Sequence, residues 1–511
     1  MIVSPGAYSR ERDFSLYAPQ LGTSVFAVVG TATKGPFDEL TLITDEGSLT
    51  ATFGRASVAH LGLMSAVHYL RRGRQLYFIR VGTYYVSLPL LAREVQDTGS
   101  LGTAITITPT SPGSWVNALS VSITAGTVAG TYRITITETV AGIAYTVDRY
   151  DNLLLGAVNT ASANYIETRI NGISDYISVS DTEAYTTLNV GTYAFPVGTD
   201  GDPADNSDII GSAGAPPVVP ATGLQLLANP ETLDVNIVAV PGEYDRTVIA
   251  ACITLCETRG DCMYLATVPQ GKTVQQAMDW HNGTGGGAGE PTAALNSSYA
   301  ALYYPWVQVY DGASDSDVWV PAEGLVAAVM AYTDYIAEPW FAPAGLNRAR
   351  LFEVLDIEHS ATQGERDQMY SYGNSINPIV DFRGQGHVIW GQRTLQRAPT
   401  ALDRINVRRL LLYLEKVIAT SVRYLVMEPN DPATWQRFIN LIDPLLRAVK
   451  SRRGLTDYRI ICDETTNTPD RIARNEMLGK ILLQPTRTAE MITIDFVLLP
   501  SGASFEEFAA L

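Results

Sequence analysis

Between residue 89 and about residue 220 the chain stops alternating strands with helices, runs through short strands alone, and then resumes the alternation. On the near side, "TSVFAVVGTATKGP" reads as a buried strand ending in a turn. "LGLMSAVHYLRRG" reads as a helix closed by Gly73, and "RQLYFIRVG" as a second buried strand, the order of an α/β unit. Then "TAITITPT", "NALSVSITAG", "GTYRITITETVAG" and "IAYTVDRY" follow one another, rich in Thr, Ile and Val and separated by Gly and Pro, which marks an all-β module. "GTDGDPADNSDIIGSAGAPPVVPATG" (198–223) is a loop or linker by composition. From "LDVNIVAVPG" onward strands and helices alternate again through "RTVIAACITLCETRG", "CMYLATVP", "VQQAMDWHN" and "GLVAAVMAYTDYI". A pattern that is left and then resumed describes a host domain carrying an insertion. The insertion reads as self-contained, so a short Gly/Ser linker is expected to replace it without loss of folding or assembly. The length of 511 residues also calls for more than one hydrophobic core.

Charge follows the same division. Residues 1–80 carry 8 Lys and Arg against 6 Asp and Glu, residues 81–345 carry 7 against 27, and residues 346–511 carry 21 against 20. The net charge of -17 therefore resides in the middle, which argues against nucleic-acid binding there. The start "MIVSPGAYSRERDFSLY" lacks the build of a signal peptide. No apolar run reaches the roughly 18 residues that span a bilayer, and the expected place of folding is a cytoplasm.

Three stretches invite chemistry. Cys252, Cys256 and Cys262 cluster, but two of them lie one helical turn apart with no histidine near in sequence; buried small apolar residues explain them better than a zinc site with its four ligands. "ATVPQGKT" (266–273) has the strand-to-helix context of a phosphate loop, with Lys272 as its cation. Ala266 replaces the first glycine, however, and Pro269 removes an N–H that the loop would present. "GTSVFA" (22–27) and "HNGTGGGAG" (281–289) faintly resemble the serine and histidine stretches of subtilisin-like proteases, yet Ser24 opens an apolar strand instead of a helix. No catalytic, cofactor or metal site is expected.

The last third carries longer phrases: "EPWFAPAGLNRARL" (338–351), "NPIVDFRGQGHVIWGQRTL" (377–395), "INVRRLLLYLEKVI" (405–418), "VMEPNDPATW" (426–435) and "ITIDFVLLPSGASFEEF" (492–508). With "SPGAYSRERDFS", "GTSVFAVVGTATKGP" and "LITDEGSLTATFG" near the start, this text closely resembles the contractile tail sheath family of bacteriophages and related injection machines. The resemblance covers residues 1–85 and 230–511.

It implies an α/β multidomain subunit. Its parts are extended terminal arms (1–20 and 491–511), a subtilisin-like α/β middle domain without protease activity (21–88 and 225–395), an inserted all-β outer domain (89–224) and an α/β inner C-terminal domain (396–490). "PWFAPAGLNRA" is expected to supply a turn and a helix start packed by Trp340 and Phe341, and "GHVIWGQRTL" a buried strand. The implied partners are copies of the chain in a helical homopolymer, the tail tube protein, and baseplate and tail terminator proteins, with no direct nucleic acid and no membrane insertion. The implied work is contraction that drives the tube through a host envelope for genome delivery, in a virion tail assembled in the host cytoplasm. A phage-derived bacteriocin or secretion-type machine is an alternative of the same class. A hydrolase or NTPase using Ser24 or Lys272 is the alternative from another class.

"MITIDFVLLP" (491–500) alternates as a half-buried strand does, yet little chain follows for it to pair with. The resemblance implies that it is lent to a neighbour, with Ile492, Ile494, Phe496 and Leu498 at one end of the chain and Ile2, Val3 and Tyr8 at the other forming the subunit-interface arms. "KSRRG" (450–454) is a dense basic cluster at a helix end, so Lys450, Arg452 and Arg453 are candidate contacts to an acidic tube.

Overall fold

Five consecutive buried residues, Val25 to Val29, mark the first strand, and a strand with no exposed face belongs inside a sheet covered on both sides. The computed structural model describes residues 22–82, 92–99, 102–140, 142–199, 203–215, 219–285, 292–312 and 314–493. The chain divides into two compact units, Met1–Glu428 and Pro429–Leu511.

The first unit opens with β1 (Phe26–Gly30), β2 (Thr41–Ile43), α1 (Glu46–Phe53), α2 (Leu61–Leu70) and β3 (Leu76–Arg80). There follow β4 (Arg93–Gln96), β5 (Thr103–Pro109), β6 (Leu119–Ala125), β7 (Tyr132–Val140), β8 (Ile143–Leu153), α3 (Ile166–Ile170), β9 (Ile177–Asp181) and β10 (Gly191–Ala194). After α4 (Asn206–Ile210) the alternation returns with β11 (Ile237–Ala239), α5 (Arg246–Arg259), β12 (Met263–Thr267), α6 (Val274–Asn282) and β13 (Ala300–Tyr304). The unit continues through β14 (Val307–Asp311), β15 (Ser316–Val320), α7 (Glu323–Ile336), β16 (Val354–Ile357), α8 (Gln363–Met369), β17 (Ile376–Phe382), β18 (Gly386–Ile389) and α9 (Ile405–Val422).

Its principal sheet has the order β18-β17-β13-β12-β11-β1-β3-β2. The pairings from β17 through to β3 are parallel, and β18 and β2 are antiparallel edges. Alternate residues feed two cores. Phe26, Val28, Ile237, Leu265 and Tyr303 pack with α2, α7, the β14–β15–β16 sheet and α9 on one face. Ala27, Val29, Val238, Tyr264, Leu302 and Ile376 pack with α5 and α6 on the other.

Residues 93–195 form two antiparallel sheets, β10-β6-β7-β8 and β4-β5-β9, around a third core. That core ends with Phe195. Segment 198–223, a loop by composition, instead holds α4, nucleated by a capping box between Asp205 and Asp208. Its Ile209, with Leu224 and Leu227 beyond it, joins the core of the principal sheet.

The β-rich region is also seated more firmly than a tethered module. Arg80 is fully buried at the end of β3; its guanidinium donates to the carbonyls of Gly35 (2.7 Å), Thr33 (3.4 Å) and Pro112 (3.4 Å) and lies 3.8 Å from the Phe37 ring centre. Gly35 N–H donates to Ser111 Oγ at 2.9 Å. The buried Lys34 ammonium lies over Tyr176 and Trp115 at 4.6 and 5.5 Å, and burial lowers its pKa. A Gly/Ser linker in place of residues 89–220 would remove the Pro112 carbonyl from Arg80 and the Trp115 and Tyr176 rings from Lys34, contacts that the replaceability read from the sequence leaves out.

One core carboxyl stands out. Glu323 opens α7 beside Thr267 at the carboxyl end of β12; it is buried, and its Oε2 has no hydrogen-bond partner among the described residues. Burial pushes its pKa up from 4.5 to about 7. The folded state thus holds a proton that the unfolded chain releases above pH 4.5, so stability falls as pH rises from 4.5 to 7 and stays reduced above, by about 3 kcal/mol. Glu323→Gln is expected to remove this dependence and to melt higher than the wild type at pH 8, but not at pH 4.5. Urea unfolding across that range checks it.

Candidate functional site

The second unit comprises α10 (Pro432–Ser451), β19 (Leu455–Ile461), α11 (Pro469–Ala473) and β20 (Lys480–Pro485). Asp431 caps α10 by accepting from Thr434 N–H at 2.8 Å, and Pro432 sits at the first turn, where its missing N–H costs nothing. The helix buries Trp435, Phe438, Ile442, Leu446 and Val449, an amphipathic stripe. Few other apolar side chains of this unit are buried among the described residues.

Its sheet has only two described strands, paired antiparallel with Tyr458 opposite Leu483 and Ile460 opposite Ile481. These four residues share one half-buried face, while Leu482 is exposed on the other. A two-stranded sheet is marginal alone, and three or more strands give independent stability. Neither outer edge of the pair has a partner strand among the described residues. Beside β19 runs a groove of about 550 Å³ lined by Ile439, Asp443 and Arg447 of α10 and by Asp457, Tyr458 and Ile460 of β19. Tyr458 OH donates to Asp443 Oδ1 at 2.8 Å, tying the strand to the helix. An open strand edge beside an apolar-and-charged groove is the geometry that accepts an added strand.

The candidate arm residues fall mostly outside the described residues: Ile2, Val3, Tyr8, Ile494, Phe496 and Leu498 do so. Ile492 is described, 80% exposed and in no strand. Lys450 lies in the last turn of α10 and pairs with Asp457 at 2.8 Å, holding that carboxyl below its ordinary pKa. Arg452 caps the helix, and Arg453 follows with φ of 66°, both exposed.

Where the described chain begins, the first unit holds it tightly. Arg409 of α9 donates to the Thr23 carbonyl at 3.1 Å and forms a two-pronged pair with Asp334 at 2.9 and 2.7 Å, with side chains 5% and 6% exposed. Tyr69 OH donates to the Ser24 carbonyl. Spacing gave no sign of this clamp, whose members lie 75 and 386 residues apart.

The residues that invited chemistry are otherwise engaged. Gly271 N–H, in the would-be phosphate loop, donates to Glu358 at 2.8 Å, and α6 behind it is closed by a capping box between Thr273 and Gln276. The Lys272 carbonyl accepts from Tyr304 OH. His281 is buried, and burial with Arg246 and Arg397 holds its pKa down to about 4. Cys252, Cys256 and Cys262 are buried free thiols, with Cys262 and Cys256 sulfurs 3.5 Å apart. "PWFAPAGLNRA" differs from expectation: Trp340 is buried, but no helix follows. The Gly345 N–H donates to the Ile389 carbonyl, and the Leu351 N–H to that of His387, so the segment is drawn alongside β18.

Comparison with known proteins names the architecture. A model of the phage tail sheath protein central domain matches residues 178–395, and one of the phage tail sheath C-terminal domain matches residues 397–498. The chain belongs to the phage tail sheath family. Among sheath proteins it is similar to that of Vibrio phage KVP40, 34% identical over 303 residues that make up 56% of this chain and 45% of the relative. It is 32% identical over 277 residues to that of Enterobacteria phage T4, covering 53% and 42%. The chain thus spans less than half the length of these curated relatives. Its fold resembles the sheath complex of an extracellular contractile injection system in the contracted state (TM-score 0.57, 17% identity, 99% of both chains). A sheath tail protein from Listeria innocua is similar too (0.56, 12%, 90% and 95%). No helix among the described residues is long and apolar enough to cross a membrane.

Proposed function

We propose that this chain is a structural, non-enzymatic subunit of a contractile tail sheath. It polymerises as a helix around a tail tube, between baseplate and tail terminator proteins, and contracts to drive the tube through a host envelope from a virion tail assembled in the host cytoplasm. The β19–β20 sheet, two-stranded and open at its edges among the described residues in a chain of this family, carries the reading. The arms, with Ile2, Val3 and Tyr8 at one end and Ile492, Ile494, Phe496 and Leu498 at the other, add strands to such sheets in neighbouring copies. A six-residue strand gives perhaps four backbone hydrogen bonds at roughly 1 kcal/mol net each, with about 1.5–3 kcal/mol for each apolar side chain it buries. Links of this size at both ends of every subunit make a mesh whose hinges absorb rotation of near-rigid bodies during contraction.

In this reading the parallel sheet is the subtilisin-like layer (21–88 and 225–395), without protease activity, the β-rich region is the outer decoration, and residues 396–490 lie innermost. The acidic excess of residues 81–345 then falls on the layers outside the inner domain, which supports the layering. Electron microscopy of the expressed protein tests the proposal: hollow striated tubes are expected. Turnover of ATP or casein, abolished by Lys272→Ala or Ser24→Ala, would refute it. The structural likeness to an injection system keeps a bacteriocin or secretion-type machine as a second reading, which differs in cargo and not in the subunit's work.

The tube-facing assignment has its own test. Changing Lys450, Arg452 and Arg453 to Glu is expected to weaken cosedimentation with tail tubes severalfold and to flatten its salt dependence, since the attraction that salt screens is gone. Unchanged binding would exclude the contact.

A further inference from the structure

The sequence "RRGR" places Arg71, Arg72 and Arg74 at the end of α2. Arg71 is paired with Glu353 at 2.7 Å, a carboxylate it shares with His68 at 3.0 Å. Arg72 is different. Its guanidinium lies between two rings, 5.4 Å from Phe352 and 5.6 Å from Tyr332, and donates to the Arg350 carbonyl at 3.3 Å. Arg74 lies 5.9 Å from the ring of Tyr335. Neither Arg72 nor Arg74 has a carboxylate partner among the described residues. Tyr335 and Phe352 are 77% and 75% exposed, and Ile336 and Leu355 are exposed beside them.

Arginine and aromatic side chains gathered on one surface are the composition of interface anchors, and exposed apolar clusters of this kind mark contact sites. A ring near a guanidinium adds cation–π attraction, and the remaining edge donors of an arginine suit a two-pronged carboxylate. The chain has many carboxylates to offer: residues 81–345 carry 27 acidic against 7 basic side chains. We infer that the Arg72–Arg74–Tyr335–Phe352 surface is a contact between copies of this chain, receiving the acidic surface of a second copy. The inference rests on the sheath reading and deepens it, because it supplies a side-chain contact independent of the terminal arms. Its electrostatic part steers subunits together, and its aromatic part holds them.

The test compares wild type, Arg72→Glu/Arg74→Glu and Arg72→Lys/Arg74→Lys, each purified and incubated without tail tubes, by sedimentation and electron microscopy. Wild type is expected to form tubes more slowly as salt is raised. The glutamate pair is expected to keep the wild-type melting temperature and lose at least tenfold in sedimentable tubes. The lysine pair, which keeps charge but loses the planar fork, is expected to assemble severalfold more slowly; it decides the matter should the glutamate pair melt early. Equal assembly of wild type and both variants overturns the surface assignment alone. Variants that assemble alone but fail to coat added tail tubes assign the surface to the tube, which also overturns it. Absence of tubes from wild type overturns the sheath reading, and this inference with it.

Discussion

A chain ended at Glu490 is expected to stay folded and soluble while forming no tubes, and so is one lacking residues 1–20. In the first, every described element through β20 is retained. What is lost is the lent strand, worth several kcal/mol at every link and multiplied along a polymer. Phe496→Asp is the finer version: it keeps chain length and places a charge where a buried ring is expected, at a cost of several kcal/mol per link. If 492–498 instead served its own subunit, the same substitution would lower the melting temperature of the monomer. A destabilised monomer that still polymerises would refute the lent strand. Sedimentation and melting, measured together, separate the two.

The largest effect on folding is expected at the clamp where the described chain begins. Asp334 and Arg409 are buried against each other; burial raises the Asp334 pKa and the guanidinium opposes the rise. Removing one member of such a pair leaves the other charged in a poorly solvating site and costs about 3–5 kcal/mol. Arg409→Met is therefore expected to lower the melting temperature clearly and to release the Thr23 carbonyl that fixes the start of β1. Asp334→Leu/Arg409→Met is expected to recover most of the stability, because two apolar groups leave no unpaired charge. Recovered stability with poor assembly would assign the clamp to aiming the N-terminal arm. A single substitution within about 1 kcal/mol of wild type, measured by denaturant unfolding, would contradict the account of the pair.

These cases show what a sequence reveals. The strands of the principal sheet were legible because burial on both faces writes an uninterrupted apolar run, as in Phe26 to Val29. The β-rich region was legible because alternation and glycine turns are local. Helix α4 was hidden: five residues cannot display a helical period, and their Asp and Ser neighbours read as loop until Ile209 is seen in a core. The destination of α9 is not written in its own residues: Ile405 and Leu412 enter the core of the first unit, and the compact division falls at Glu428/Pro429. The candidate strand at 492–498 could be seen as a strand without a partner, while the groove that would receive one could not. Its lining residues come from two elements and share no local pattern.

The central claim is that neighbours complete the β19–β20 sheet. A cryo-electron microscopy map of assembled tubes, fine enough to trace strands, tests it most directly. The account predicts at least one further strand beside β19, along the groove formed by Ile439, Asp443 and Arg447, traceable to residues 492–498 or to the first 20 residues of a neighbouring copy. A sheet that remains two-stranded in the tube, or one completed by the subunit's own chain end, would contradict it.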